Sequence, residues 1–199
     1  PNGVENNFTA EEFEKYIEKK DFKDIHILYL SNMIKSKGYF EVLKLAKLYS
    51  DQEYMFHFAG GWQSKEDEKE FFAYIKENKL EKRVTFYGFV NGIEKKELFE
   101  KASLFVFPTR YKNEAFPLSI LEAFSYGIPV LSTNEGSISD IVDSESGVII
   151  FQLNDLSIAF QNILKNFVNK NVALYCRKKY LNSFSLEKFE NNFINCLKK

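Results

Sequence analysis

The sequence is poor in the residues from which disulfide and metal sites are built. Its two cysteines, Cys176 and Cys196, are too few for a disulfide framework and favour a reducing compartment, although a single bridge stays open. Its two histidines, His26 and His57, each lie within an apolar run. The sequence therefore predicts neither a disulfide-rich scaffold nor a histidine–cysteine metal centre.

The chain also lacks an excess of charge of either sign. Its 27 Lys and Arg residues balance 28 Asp and Glu residues, which gives a formal net charge of −1. Nucleic acids and anionic membranes bind concentrated basic surface, so neither is the expected main partner. No apolar run of membrane-spanning length occurs. The polar opening PNGVENNF has no initiator Met, which indicates a start inside a longer protein.

What the sequence does contain is an alternation of short apolar runs with longer amphipathic segments. Helical periodicity marks the segments between the runs, for example 37–50 and 64–79. This alternation predicts an α/β fold, a Rossmann-like doubly wound parallel sheet of about six strands with helices on both faces. The predicted strands are the runs at 25–30, 54–60, 83–88, 103–108, 129–133 and 147–151.

The order of these segments predicts a single domain, 1–199, in three stretches. Residues 1–24 lead in, 25–151 hold the sheet, and 152–199 are purely helical. The last helix is predicted to have Ser185 as its N-cap and to align the apolar residues Leu186, Phe189, Phe193 and Leu197.

Function is expected in the strand-to-helix loops, because ligands of doubly wound sheets bind outside the carboxyl ends of the strands. The most informative loop ends at Pro117, which is predicted to start a helix. The amides of Leu118 and Ser119 would then point out of the helix start, where the macrodipole favours an anion. Glu114 lies at this mouth, and Glu122 lies roughly 7.5 Å farther along the helix axis than Pro117. Two such carboxylates suit two polyols flanking a diphosphate, although a solvated polar stripe would have the same pattern.

This segment resembles the E-x7-E signature of the glycosyl transferases group 1 (GT4-like) family, whose members have the two-domain GT-B fold. Its parts are Glu114-Ala115-Phe116-Pro117-Leu118, Leu121-Glu122-Ala123 and Tyr126-Gly127-Ile128-Pro129-Val130. Other matches follow the family's order and extend the resemblance over essentially the whole chain. They are Pro1-Asn2-Gly3-Val4, Lys37-Gly38, Thr85-Phe86-Tyr87-Gly88-Phe89-Val90 and Gly147-Val148.

The resemblance implies that the chain is the C-terminal, nucleotide-sugar-binding domain of a GT-B glycosyltransferase. Residues 1–24 would be the linker from an N-terminal acceptor domain that is absent here. As catalytic residues, Glu114 would contact hydroxyls of the transferred sugar and Lys37 would neutralise the diphosphate. Glu122 would hold the ribose hydroxyls, and the backbone near Phe89 would contact the base. The implied donor-binding set is Asn32, Gly88, Phe89, Val90, Arg110, Ala115, Phe116, Pro117, Leu118 and Glu122.

The activity so implied is transfer of a hexose-type sugar, with retention of configuration, from a UDP- or GDP-type donor. The acceptor would be a glycan or a lipid-linked molecule, as in cell-surface polysaccharide synthesis. Neither a metal nor a cofactor is implied. The expected location is the cytoplasm, with the inner face of the membrane as an option for the full-length protein. The isolated chain is expected to bind donor weakly and to transfer little.

The sequence departs from the family pattern at two places. Ser31-Asn32 stands where Gly-Arg is common, which removes one diphosphate cation, and Arg110 is a candidate replacement. Ala115 stands for the usual Gly and limits backbone approach. These departures keep an alternative open, a catalytically silent nucleotide-sugar-binding or interaction module.

Four other features have simpler interpretations. Trp62 either covers the pocket or packs at the surface, and His57 is expected to be a satisfied core histidine. Gly136–Asp140 is expected to cap a helix, and Lys95-Lys96 to lie on a solvated face.

Overall fold

In the computed structural model, which describes residues 2–197, six parallel strands form one sheet in the order β3-β2-β1-β4-β5-β6. Each strand lies within one of the predicted apolar runs, and helices cover both faces of the sheet, so the predicted doubly wound α/β fold is confirmed. The strands are β1 (His26–Leu30), β2 (Met55–Ala59), β3 (Val84–Phe86), β4 (Leu104–Phe107), β5 (Val130–Thr133) and β6 (Gly147–Ile150).

The helices alternate with the strands up to β6 and follow one another after it, as predicted. Two short 3-10 turns, Lys35–Lys37 and Leu153–Asp155, precede the second and the seventh helix. The helices are α1 (Ala10–Lys19), α2 (Tyr39–Leu48), α3 (Lys65–Glu77), α4 (Gly92–Lys101), α5 (Leu118–Ser125), α6 (Ile138–Ile141), α7 (Leu156–Asn166), α8 (Lys170–Ser183) and α9 (Leu186–Leu197).

Helix α1 is the element that the sequence interpretation missed, because residues 1–24 were assigned to a linker. Its start carries a capping box, in which the Thr9 hydroxyl accepts from the Glu12 amide and the Glu12 carboxylate accepts from the Thr9 amide. Phe13 and Ile17 bury the inner face of the helix. The T-x-x-E spacing was the signal that identifies this helix.

The ends of two further helices test individual predictions. Helix α5 begins at Leu118, one residue later than predicted, and Pro117 is its N-cap in an extended conformation. The Ser185 hydroxyl accepts from the amide of Lys188, which confirms Ser185 as the N-cap of α9. The side chain of Leu197 lies outside the described residues, as do Pro1, Lys198 and Lys199.

The position of the site follows from the strand order. From β1 the chain winds outward through β2 to β3, and then it returns to the other side of β1 and continues through β4 to β6. The connections after β1 and β4 therefore leave the sheet in opposite directions. In open parallel sheets, such a reversal creates a crevice at the carboxyl ends of the two strands.

A buried guanidinium connects the beginning of the chain to helices α5 and α8. Arg177 on α8 donates to the carbonyl oxygen of Ser125 (2.8 Å), the side-chain oxygen of Asn6 (2.7 Å) and the carbonyl oxygen of Phe8 (3.0 Å). Burial lowers the pKa of Arg177. These carbonyl partners hold residues 6–8 against the end of α5.

Three classes of feature have no instance in residues 2–197. None of the helices there combines the length with the apolar composition that a bilayer span requires. The two cysteines of this part of the chain form no disulfide, since Cys176 is buried and Cys196 is exposed. The His, Cys, Asp and Glu side chains described do not group in threes that could hold a metal ion.

A chain of hydrogen bonds links four side chains across the first three strands. His26 Nδ1 lies 2.7 Å from His57 Nε2, and His57 Nδ1 lies 2.9 Å from the Tyr87 hydroxyl. His26 Nε2 lies 3.0 Å from the Asp24 carboxylate. Two neutral rings satisfy this geometry when Tyr87 donates to His57, His57 to His26, and His26 to Asp24. His57 is therefore the satisfied core histidine that the sequence predicted.

We expect this histidine pair to make folding stability depend on pH. Burial, and then the neighbouring His26, lowers the pKa of His57 to about 4, and burial also lowers the pKa of His26. In the unfolded chain both rings have a pKa of about 6.5. The unfolded state then binds more protons below that pH. The stability that depends on the neutral histidines is therefore fully present above it, and the free energy of unfolding falls as pH decreases toward 4.

Urea unfolding at pH 7 and pH 5 measures this effect. The loss of unfolding free energy between the two values is expected to be smaller in His57→Gln than in wild type. The limiting slope is about 1.4 kcal/mol per pH unit for each histidine. The same pH dependence in both proteins would contradict this assignment.

Candidate functional site

The loops after β1 and β4 enclose a cavity of about 250 Å³ at the point where the strand order reverses. Both proposed catalytic residues and four of the proposed donor-binding residues line it. The structure thus gathers residues that are up to 85 positions apart, as counted from Lys37 to Glu122. The lining residues are Leu30, Ser31, Lys37, Phe107, Glu114, Phe116, Pro117, Leu118, Ser119 and Glu122.

Lys37 and Glu114 face each other inside this cavity. Lys37 Nζ lies 3.2 Å from Glu114 Oε2, and the two side chains are 16% and 8% exposed. The rings of Tyr111 and Phe107 flank the ammonium group, with centroids 5.1 and 5.9 Å away. Glu114 Oε2 is buried. Because the contact with Lys37 does not have hydrogen-bond geometry, this oxygen accepts no hydrogen bond from the described residues. A buried carboxylate oxygen with no hydrogen-bond donor of its own is a strong acceptor for a ligand hydroxyl.

Glycine fixes the place of Lys37. Gly38 has φ of +86°, and a Cβ there would overlap the carbonyl oxygen of Pro108 at the end of β4. Beside this contact, the Arg110 amide donates to the Ser36 carbonyl oxygen at 2.6 Å. The loops after β1 and β4 thus touch backbone to backbone, and this contact sets the distance between Lys37 and the Glu114 loop.

The start of α5 supplies unpaired donors to the same cavity. The amides of Leu118 and Ser119 donate to no acceptor within residues 2–197. Pro117 precedes them and has no N–H of its own. Free amides at a helix start, together with the helix dipole, favour a negatively charged ligand such as a phosphate. The sequence prediction for these two amides agrees with this geometry.

Glu122 points to the edge of the cavity and is paired there. Its Oε1 lies 2.5 Å from Lys95 Nζ on α4. The expectation of a solvated face holds only in part, because Lys95 is 30% exposed but pairs across to a carboxylate on α5. The neighbouring Lys96 does lie at the surface, where it pairs with Glu100 at 3.6 Å.

The remaining predicted donor-binding residues lie at the same sheet edge but do not line the cavity. Asn32, Arg110 and Ala115 are exposed, and the Arg110 side chain makes no ion pair with a described residue. Phe89 is 75% exposed and Val90 is buried. Gly88 has φ of +70°, and its carbonyl oxygen accepts from the Gly60 amide at 2.7 Å. The structure thus leaves the loop after β3 separate from the charged cavity.

Trp62 packs beside the sheet and does not cover the cavity. Its ring contacts the rings of Tyr39, Phe71 and Phe86 with centroid distances of 5.3 to 5.4 Å. It is not among the cavity-lining residues. The structure therefore does not support the covering role, and it packs the partly buried ring against the core and not merely at the surface.

The loop after β5 holds the backbone of the Glu114 loop, a role that the sequence interpretation missed. Gly136 has φ of +55°, and a Cβ there would overlap the Glu114 carbonyl oxygen. The amide and hydroxyl of Ser137 both donate to the Ala115 carbonyl oxygen, at 3.2 and 2.6 Å. The prediction that residues 136–140 only cap a helix is therefore corrected. A Gly-Ser pair after a strand has many uses, so the sequence alone did not identify this contact.

We expect Gly136→Ala to destabilise the chain more than Gly92→Ala does. Gly92 has a similar φ of +50°, but a Cβ there would meet nothing within 4 Å. Both variants incur the cost of a left-handed alanine, and only Gly136→Ala adds the overlap with Glu114, worth about 1–3 kcal/mol. Urea unfolding measures the difference. Equal losses in the two variants would show that the close approach is not a constraint.

Comparison with known proteins adds a family to this geometry. The family model described as Glycosyl transferases group 1 matches residues 10–174. The chain is 30% identical over 128 residues to an uncharacterized 41.2 kDa protein in the cps region of Klebsiella pneumoniae, covering 63% of this chain and 32% of that protein. It is 28% identical over 124 residues to the Escherichia coli UDP-Gal:alpha-D-GlcNAc-diphosphoundecaprenol alpha-1,3-galactosyltransferase, covering 59% and 30%.

Solved structures share the fold at lower identity. The Anabaena protein HepE, solved in complex with UDP and glucose, superposes with a TM-score of 0.77 at 17% identity. The superposition covers 100% of this chain and 55% of that protein. In each of these three comparisons, the chain spans less than two thirds of the relative's own length.

Proposed function

The chain belongs to the glycosyl transferases group 1 family, and from that premise we propose that it is the donor-binding half of a retaining glycosyltransferase. One observation carries the proposal. Lys37, the unsatisfied Oε2 of Glu114 and the free amides at the start of α5 all face one cavity. These groups complement a sugar diphosphate, which offers hydroxyls and anionic oxygens side by side.

In this proposal each group has one task. The ammonium group of Lys37 and the amides of Leu118 and Ser119 meet the charge of the diphosphate. Glu114 accepts hydrogen bonds from hydroxyls of the transferred sugar, and Glu122 accepts them from the ribose. The donor enters between Lys37 and Glu114, so each of these charges exchanges its present partner for a ligand group.

The chemistry asks the chain for positioning and electrostatic stabilisation. The bond between the sugar C1 and the diphosphate oxygen breaks, and its electron pair stays on that oxygen. The acceptor hydroxyl forms the new bond to C1 from the same face and gives its proton to the departing phosphate. The configuration at C1 is therefore retained. Lys37 and the helix amides stabilise the charge that grows on the leaving group. The proposed mechanism requires neither a protein nucleophile nor a metal.

The names of the relatives support a substrate class. The Escherichia coli relative is named for a UDP-sugar donor and a diphosphoundecaprenol acceptor, and the Klebsiella relative lies in a cps region. HepE was solved with UDP. We propose a hexose donor of the UDP or GDP type, with a glycan or lipid-linked acceptor in cell-surface polysaccharide synthesis. We propose the cytoplasm as the site of this reaction, with the inner face of the membrane as the option for a lipid-linked acceptor.

We further propose that a separate N-terminal domain completes the active site. The chain spans 55% of HepE, which leaves room for an acceptor-binding half. On α9 the apolar side chains of Leu186, Phe193 and Ile194 are 37%, 56% and 46% exposed, as a helix that meets another domain would be. The segment before α1 then leads in from that domain, α1 packs against the core of this one, 25–151 hold the sheet, and 152–197 form the helical end. Alone, the chain is expected to bind donor weakly and to transfer little.

Titration of the 199-residue chain with UDP, GDP and ADP tests the donor site. One nucleotide is expected to bind, and Glu122→Ala is expected to weaken it about tenfold or more, roughly 1.4 kcal/mol, because the ribose loses its acceptor. Calorimetry or amide NMR shifts give the dissociation constants. Glu97→Ala, which removes an exposed carboxylate from α4, is the matched control.

The two unfavourable results differ in meaning. Equal weakening by Glu97→Ala would assign the effect to general charge and not to the ribose site. If the folded chain and the complete protein both fail to bind any of the three nucleotides, the proposed donor site is wrong.

Sugar transfer by the complete protein tests the catalytic roles. Lys37→Met and Glu114→Gln are each expected to lower kcat/KM about 100-fold or more, since each removes a charge or acceptor that faces the reacting groups. Lys112→Met, an exposed lysine in the same loop as Glu114, is expected to stay near wild type. Transfer is expected to persist in excess EDTA, because Lys37 and not a metal meets the diphosphate. A complete protein that binds donor and transfers nothing would instead be the silent binding module.

A further inference from the structure

The Lys95–Glu122 ion pair lies between two cavities of the molecule. Glu122 borders two cavities, the one that holds Lys37 and Glu114 and a second one of about 370 Å³. The second is formed by the N-terminal segment, α4, α5 and Leu186, and Lys95 lines only this one. Lys95 thus reaches the carboxylate from the second cavity and does not line the one that holds Lys37 and Glu114.

The pairing is confined to one oxygen of the carboxylate. Lys95 Nζ contacts Oε1 at 2.5 Å, whereas Oε2 accepts no hydrogen bond within the described part of the chain. A contact to one oxygen restrains the rotation of the carboxylate, and the second oxygen keeps its lone pairs for another donor. Both side chains remain partly exposed, at 30% and 24%, so the pair contributes little to folding stability.

We infer that Lys95 is a positioning residue, which holds Glu122 so that Oε2 accepts a hydroxyl of the donor ribose. This inference rests on the proposed donor site and adds to it a residue that determines specificity for the ribose. The lysine also cancels the charge of Glu122 at the border of a site that receives an anionic diphosphate. Without it, the carboxylate would lose this restraint, and its negative charge would oppose that of the diphosphate.

The test is a double-mutant cycle on the dissociation constant of the nucleoside diphosphate that the chain binds. Lys95→Met is expected to weaken binding about three- to tenfold, and Lys95→Arg to restore most of the affinity. In a Glu122→Gln background the Lys95→Met substitution is expected to have almost no further effect. The 2′,3′-dideoxy form of the same nucleotide, which has no ribose hydroxyls, is expected to show the same low affinity in wild type and in Lys95→Met.

Lys96→Met is the matched control, since it removes the same charge from the next position of the same helix and the same cavity. Equal weakening by Lys96→Met, or equal weakening in the Glu122→Gln background, would overturn the inference and reduce Lys95 to a general electrostatic role. Tighter binding by Lys95→Met would also overturn it, because the lysine would then compete with the ribose.

Failure of the proposed function has a different signature. If wild type, Glu122→Gln and Lys95→Met bind the ribonucleotide alike, Glu122 does not hold the ribose, and both claims fail together. If Glu122→Gln weakens binding while Lys95→Met does not, the donor site stands and only the role of Lys95 is wrong.

Discussion

The site depends on one constraint, the contact between the backbone after β1 and the backbone after β4. Gly38 packs against the Pro108 carbonyl, and no side chain fits between them. Because the strand order reverses between these two strands, their loops leave in opposite directions and open a crevice. Without the contact the crevice would be a gap of variable width. With it, Lys37 lies 3.2 Å from Glu114, and the start of α5 faces the same space.

A second close approach holds the Glu114 loop from its other side. Gly136 and Ser137 grip the carbonyls of Glu114 and Ala115. The loop is therefore held by two glycine contacts. Gly38 packs against Pro108 at the start of the loop, and Gly136 packs against the Glu114 carbonyl itself. This arrangement restrains the backbone of the Glu114 loop and keeps the Glu114 carboxylate at the cavity. Rigidity of this kind is what positioning a reacting group requires.

Much of the fold and part of the site could be predicted from the sequence. Buried parallel strands are continuous apolar runs, so all six strands were found, and the glutamates of the E-x7-E pattern lie at the cavity. Contacts between distant elements were not predictable. Lys95 has the sequence context of a solvated helix, and its partner is 27 positions away. The grip of Ser137 on Ala115 likewise depends on how two loops meet in space. Helix α1 could have been predicted from its capping box but was hidden within an expected linker.

Ser31-Asn32 supplies no cation where the family pattern commonly has Gly-Arg, which would make these backbone contacts more important for the proposed donor binding. Of the described residues that line the cavity, Lys37 alone carries a positive charge. A diphosphate carries more negative charge than one ammonium group can balance, so in the proposed donor complex the amides of Leu118 and Ser119 have to contribute to its binding. Amide dipoles act over short distances and only in a fixed direction, whereas a long cationic side chain can adjust its reach. The two glycine contacts that hold the loop before α5 thus maintain the alignment on which this part of the proposed anion binding relies.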